Sequence, residues 1–360
     1  MIVNRRRVGR KPSVLLCGYY GEHNLGDDAL LQVLVSQISN DWDLLITARD
    51  QDSVRSLVPN ARTVNRRSLS ETVRSLGHVD VVVLGGGSLL QDGTSFKSLF
   101  YYLILIWSAR FKRRPILLWG QGLGPLKRRL SRLLVRYTLS GIKAVSWRDP
   151  ASMHQAQRWK LNTAMVMGPD PVWCHPAPAW NGGSRLILCL RPTPLLDQQG
   201  WRVLLESVDR FSARERLQVI WLAFHAEQDA TLLDDLDHQH LIPDRLNARS
   251  EQVTAESLAQ VQSVFRDASL VIAMRLHALI LAATGGCPTT ALSYDPKVKA
   301  AAELAALPWF DLNESLNVNG LMDQWTHAVH GPCDHHQLER LRLNAGIHRE
   351  MLIRELNSIV

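Results

Sequence analysis

Short runs of β-favouring residues recur along the chain, each broken by glycine or proline and followed by a segment with helical spacing of apolar positions. The first run, at 13–17, opens into a loop carrying Gly18, Gly21 and Gly26, and a helix begins near Asp27 with Leu30, Leu31, Leu34 and Ile38 on one face. Weaker patterns give a strand at 44–47 and a helix at 68–76. A clear strand then ends in Gly85, Gly86, Gly87 and Ser88, and further strands are read at 115–119, 144–146 and 165–167. Periodicity stops at 175–184 (HPAPAWNGGS), the best linker in the chain. It restarts with strands at 186–190, 219–224, 270–274 and 288–293, with helices at 201–211 and 278–284 between them.

This alternation predicts an α/β protein of two Rossmann-like domains with parallel sheets. The expected divisions are a basic disordered tail at 1–12, a first domain at 13–176, a linker at 177–184 and a second domain at 185–334. A helical tail at 335–360 is expected to pack back across the junction. In such an arrangement the strand ends of both sheets face a shared cleft.

Composition narrows the class. The 360 residues carry a net charge of +7, concentrated at Arg5, Arg6, Arg7, Arg10 and Lys11 and in clusters at 110–114 and 127–136. A solvated tail is the ordinary reading of the first cluster; attraction to an anionic membrane surface is the other. Nucleic-acid binding is not expected, since no aromatics interleave the early arginines. No apolar stretch follows them as a secretion signal would, so a cytoplasmic protein is expected. The apolar segment 99–107 is too short to span a bilayer and reads as a buried or interfacial helix. Cys17, Cys174, Cys189, Cys287 and Cys333 form no CxxC pair. They read as small core residues of a reduced protein, and no metal site is expected.

The chemistry gathers in the stretch 267–299. Arg275 and His277 follow one predicted strand and Lys297 follows the next, where open α/β sheets hold ligands, so the expected ligand is an anion. A histidine in an Ala/Leu-rich helix is often only a core residue; the nearby Arg and Lys favour function here. Asp27 and Asp28 would oppose a pyrophosphate at the first helix, which argues against a dinucleotide there. Asp28 is read as a partner of the helix dipole, and Asp27, beside Asn24, as a group that bonds or deprotonates a substrate hydroxyl. Gly86, Gly87 and Ser88 could let a ligand approach backbone N–H groups or could make a tight packing turn. Arg148 could hold an anion or pair with Asp149 or another acid. His225, with Glu227 and Asp229, is read as a loop group at the substrate.

Taken in order, GYYGEHNLGDDALL, VVVLGGGSLLQD, GQGLGP, SWRDP, MRLHALILAATGGCP and LSYDPKV resemble the polysaccharide pyruvyl transferase family, in particular its bacterial cell-wall-polymer branch. The resemblance implies a GT-B-like fold and transfer of a pyruvyl group from phosphoenolpyruvate to two hydroxyls of a saccharide, as a ketal. By motif position it makes Asp27, Arg148, His277 and Lys297 substrate-binding or catalytic residues. Glu22 and His23, and Asp28 where many members carry Glu, depart from the family's wording and bear on acceptor choice. Phosphoenolpyruvate would be a co-substrate, with no cofactor. A lipid-linked acceptor would bring the chain to the inner face of the cytoplasmic membrane as a peripheral protein.

The residues suit this chemistry on their own terms. A carboxylate and a phosphate need several cations, which Arg148, Arg275 and Lys297 could provide. His277 is the natural acid for protonating the vinyl carbon, although a place in the first turn of a helix would disfavour its charged form and leave it as a phosphate hydrogen-bond partner. Two rivals share the architecture: a glycosyltransferase using a nucleotide sugar, for which no ribose-binding carboxylate or base-stacking slot is evident, and a non-catalytic glycan-binding or assembly protein.

Overall fold

The apolar runs become parallel strands buried on both faces, which is why they read as continuous rather than alternating hydrophobic sequence. The computed structural model describes residues 10–93, 95–331 and 334–359. Arg5, Arg6 and Arg7 of the expected tail, and Cys333, lie outside the described residues. Two compact units are defined by their contacts: one comprises the described residues of Met1–Glu22, Leu30–Pro171 and Ala345–Val360, the other His23–Ala29 and Val172–Asn344.

The first unit holds β1 (Ser13–Cys17), β2 (Asp43–Ala48), β3 (Arg62–Asn65), β4 (Val81–Leu84), β5 (Gly87–Leu90), β6 (Ile116–Leu123), β7 (Ala144–Trp147) and β8 (Ala164–Met167). Its order is β3-β2-β1-β4-β6-β7-β8, with β5 paired to β6. Leu15, Val82, Leu118 and Val145 pack with Leu99, Leu103 and Ile106 of helix Phe96–Phe111, the element that takes in the apolar segment 99–107. No helix among the described residues is long and apolar enough to cross a membrane. Helix Ile347–Asn357 belongs to this unit and buries His348, Met351, Leu352 and Leu356.

The second unit holds β9 (Arg185–Cys189), β10 (Gln218–Ala223), β11 (Ser250–Thr254), β12 (Ala268–Ala273), β13 (Thr289–Ser293) and β14 (Trp309–Asp311), ordered β11-β10-β9-β12-β13-β14. Leu186, Val219, Ile272 and Leu292 form its core with Leu205, Phe211 and Trp325, and the last two rings meet edge to face at 5.6 Å between centroids. Cys17, Cys174, Cys189 and Cys287 are thiols.

The two units repeat one local device. After β7, the Asp149 side chain caps helix Pro150–Arg158; after β13, Asp295 caps helix Pro296–Leu304. An N-terminal acid followed by proline at the first helical position satisfies orphan N–H groups and presets φ. SWRDP and SYDPK are therefore helix starts as well as carriers of charge.

One sequence expectation differs from the contacts. Chain order places 23–29 in the first domain, but Leu25 N donates to Phe224 O at 3.3 Å and Ala226 N to His23 O at 3.1 Å, tying the segment to the second unit. The stretch read as a linker is docked on that unit: Trp180 donates from its indole to Ala268 O at 2.7 Å and from its backbone to Gly285 O at 2.9 Å.

Candidate active site

In the second sheet the chain runs outward one way through β9, β10 and β11 and the other way through β12, β13 and β14. The reversal lies between β9 and β12, where strand ends of a doubly wound sheet leave a crevice for ligands. Arg191 follows β9, His225 follows β10, Arg275 and His277 follow β12, and Lys297 follows β13. Five side chains able to meet an anion thus leave the carboxyl edge of one sheet.

His277 is the second residue of helix Leu276–Thr284, whose N-cap, Arg275, gives no side-chain cap bond. Uncapped N–H groups at a helix start favour an anion. The imidazole lies against Gly26: a Cβ built there would overlap Nδ1. Glycine is required at 26 by this close approach rather than by its φ. The segment around it is held by an antiparallel bridge between Asn24 and His225, and His23 takes a left-handed φ of 54°. Asn24 turns its amide inward, accepting from Gly26 N at 3.1 Å and donating to Asp27. Asp27 therefore sits one residue from the glycine that the His277 ring covers, and Asn24 orients it.

The cations differ in what they already hold. Arg275 was expected to grip substrate; instead its Nε donates to Asp229 Oδ2 at 3.1 Å, and one terminal nitrogen donates to Asp229 Oδ1 and to Gln228. Asp229 is buried and also accepts from His225 N at 2.8 Å, so the guanidinium braces the β10 loop with its charge compensated. Lys297 is half-buried just inside the helix that Asp295 caps. Arg191 was given no role from sequence, although an arginine just past a predicted strand was signal enough. Its guanidinium donates to the Tyr294 hydroxyl at 2.9 Å and lies over that ring at 4.8 Å, which presents it beside the YDPK segment.

The expected contributors from the first unit are engaged within that unit. Arg148 pairs with Asp170 at 2.8 Å, each side chain only 7% exposed, and its other terminal nitrogen reaches Ser88 Oγ at 3.3 Å. Asp149, the other partner considered, caps its helix instead. A Cβ at Gly86 would overlap Leu30 and one at Gly85 would overlap the Tyr20 hydroxyl, while Gly87 belongs to β5 with a φ of 109°. Gly85 and Gly86 are thus packed against the chain's own side chains.

Two titratable groups near the Gly26 segment are displaced. Burial, then the charge of Asp27, pushes Asp28 up to about 7. Asp28 does lie in the first turn of helix Leu25–Ser36, as its reading as a partner of the helix dipole requires, and burial works against its charged form there. Burial, then the Arg275 charge, lowers His225 below the usual imidazole range, and its Nδ1 is buried with no hydrogen-bond partner. Among the described residues no group of three His, Cys, Asp or Glu side chains is arranged to hold a metal ion.

Comparison with known proteins gives one family and one fold. The family model for polysaccharide pyruvyl transferase matches residues 24–296. A search of curated protein sequences finds no match. Solved structures share the architecture at low identity. A Listeria monocytogenes protein assigned as a UDP-N-acetylglucosamine 2-epimerase aligns with a TM-score of 0.66 and 12% identity over 97% of this chain and 96% of its own. Anabaena HepE in complex with UDP gives 0.62 and 10% over 96% and 100%, and sucrose-phosphate synthase from Thermosynechococcus elongatus gives 0.61 and 11% over 97% and 100%. The fold is thus the two-domain, parallel-sheet GT-B class.

Proposed function

The chain belongs to the polysaccharide pyruvyl transferase family, and on that premise we propose that it moves the pyruvyl group of phosphoenolpyruvate onto two hydroxyls of a saccharide, forming a ketal. The observation that carries this reading is the meeting of His277 with the Gly26 segment, which puts an imidazole and the Asp27 carboxylate on one loop edge.

In this reading Lys297, Arg191 and the uncapped start of helix Leu276–Thr284 receive the phosphate and carboxylate of phosphoenolpyruvate. His277 gives a proton to the vinyl CH₂ carbon, making a methyl group and leaving the adjacent carbon electrophilic. Asp27, aimed by Asn24, accepts the proton of the first hydroxyl as its oxygen bonds to that carbon. The second hydroxyl then displaces phosphate, which leaves with that hydroxyl's proton. In this reading His225, whose buried Nδ1 has no hydrogen-bond partner in the fold, bonds a substrate hydroxyl.

Incubation with phosphoenolpyruvate and a panel of free saccharides tests the proposal. Phosphate release matched to a saccharide carrying one pyruvate ketal is expected. Transfer of a sugar from a nucleotide donor, with phosphoenolpyruvate untouched, would replace this reading with that of a glycosyltransferase.

A further inference from the structure

The transfer chemistry leaves unused a face of the first unit along helix Arg129–Leu139. Between Asp92 and Asp149 the sequence carries twelve lysines and arginines and not one acid. The helix turns Ser131, Val135, Thr138 and Leu139 to the core. At about 100° per residue, Leu130, Leu133 and Tyr137 form a stripe on roughly the opposite side, with Arg129, Arg132 and Arg136 as a second stripe beside it. The apolar stripe stands in water: Leu130 is 57%, Leu133 63% and Tyr137 64% exposed. Helix Phe96–Phe111 runs alongside, joined at one end by Arg128 over the Phe96 ring at 4.6 Å and at the other by Arg110 over Tyr137 at 5.7 Å. It ends in Phe111, which is 90% exposed.

Folding alone does not account for this face. Arginines in the first turn oppose the helix dipole, and the acid at the helix start is Asp92, which accepts from Arg128 N at 3.0 Å and leaves Arg129, Arg132 and Arg136 without a carboxylate on their own helix. A helix that only covered a core would carry polar residues where Leu130, Leu133 and Tyr137 stand. Isolated exposed apolar residues are ordinary, but a stripe of them flanked by one sign of charge marks a binding surface.

We propose that this face docks on an anionic lipid bilayer, with Leu130, Leu133, Tyr137 and Phe111 entering the boundary between headgroups and acyl chains and Arg129, Arg132 and Arg136 meeting lipid phosphates. A nucleic acid would engage the arginines yet leave the leucine stripe in water, so the apolar half of the face decides for the bilayer. The proposal stands on this surface alone, and the transfer reaction need not be known to test it.

The test is co-sedimentation of the full chain with vesicles of phosphatidylcholine, with and without added phosphatidylglycerol. Binding is expected with the anionic vesicles and to weaken with salt. Replacing the three arginines (R129Q/R132Q/R136Q) should weaken it by about 10²-fold, roughly fivefold per charge. L130S/L133S should weaken it by about tenfold or more at unchanged charge. A third variant, Leu133→Trp, should shift its emission to the blue on anionic vesicles and not with duplex DNA, which reads insertion without removing apolar surface. No binding to anionic vesicles, binding indifferent to the leucine pair, or displacement from vesicles by duplex DNA would each overturn the proposal.

Discussion

The carboxyl edges of the two sheets differ in how their charges are spent. In the first unit Arg148 is locked on Asp170, Tyr20 fills the space beside Gly85, and Leu30 covers Gly86. In the second, Arg275 is closed by the buried Asp229, while His277, Lys297 and Arg191 are half-buried along the edge. The same kind of motif, a basic residue beside an Asp-Pro helix start, holds a buried ion pair in one place and, in the proposed function, meets phosphoenolpyruvate in the other. What separates them is a partner acid that burial has made permanent, since a charge already neutralised in a dry site has little left for substrate.

Mutations sharpen this contrast. The largest effect is expected at His277→Ala, which should lower kcat by about 10²–10⁴-fold with thermal unfolding nearly unchanged. Its counterpart, Arg148→Ala, should show mainly as lost stability, about 3–5 kcal/mol in denaturant titration, because the buried Asp170 loses the guanidinium that pairs with it. An Arg148 variant of normal stability that had lost phosphoenolpyruvate binding would erase the distinction between the edges. Gly26→Ala should cost about 10²-fold in kcat by displacing the imidazole. The double variant with His277→Ala should regain stability relative to Gly26→Ala alone, but not turnover.

The pH response should also separate the units. Asp28 is ordinarily ionised above 3.8 but stays protonated in the fold up to about 7, so its contribution is present below the lower value and lost as pH rises through the higher one. Asp28→Asn should therefore gain stability over the parent above pH 7, on the order of 2–4 kcal/mol. Burial lowers His348 in the first unit from 6.5 to about 4, so its contribution is present above 6.5 and lost as pH falls toward 4. Urea titrations across that range read both trends. The smallest effect is expected at Arg191→Ala, about a tenfold rise in KM for phosphoenolpyruvate with kcat little changed.

Much of this was legible in the chain. The apolar runs marked the principal strands, and Asp149-Pro150 and Asp295-Pro296 marked helix starts, because those signals are local. The edge of the second sheet was likewise readable from Arg275, His277 and Lys297 following strands. Pairing was not. Asp170 lies 22 residues from Arg148 and Asp229 lies 46 from Arg275, and no local pattern tells which acid will neutralise which cation. The fate of the glycine run was hidden for the same reason, since Tyr20 and Leu30, which close it, come from a distant segment. The attachment of 23–29 to the second unit rests on backbone bonds to residues about 200 positions on, and backbone groups leave no trace in composition.

The central claim is that His277, seated on Gly26, delivers the proton that makes phosphoenolpyruvate electrophilic. It is tested most directly by running the transfer in D₂O and counting deuterium in the ketal methyl group, for the parent and for His277→Ala at saturating phosphoenolpyruvate. The account predicts one deuterium per methyl in the parent product and almost no product from the variant, which still binds phosphoenolpyruvate. Labelled methyl formed at a near-normal rate by His277→Ala would contradict it.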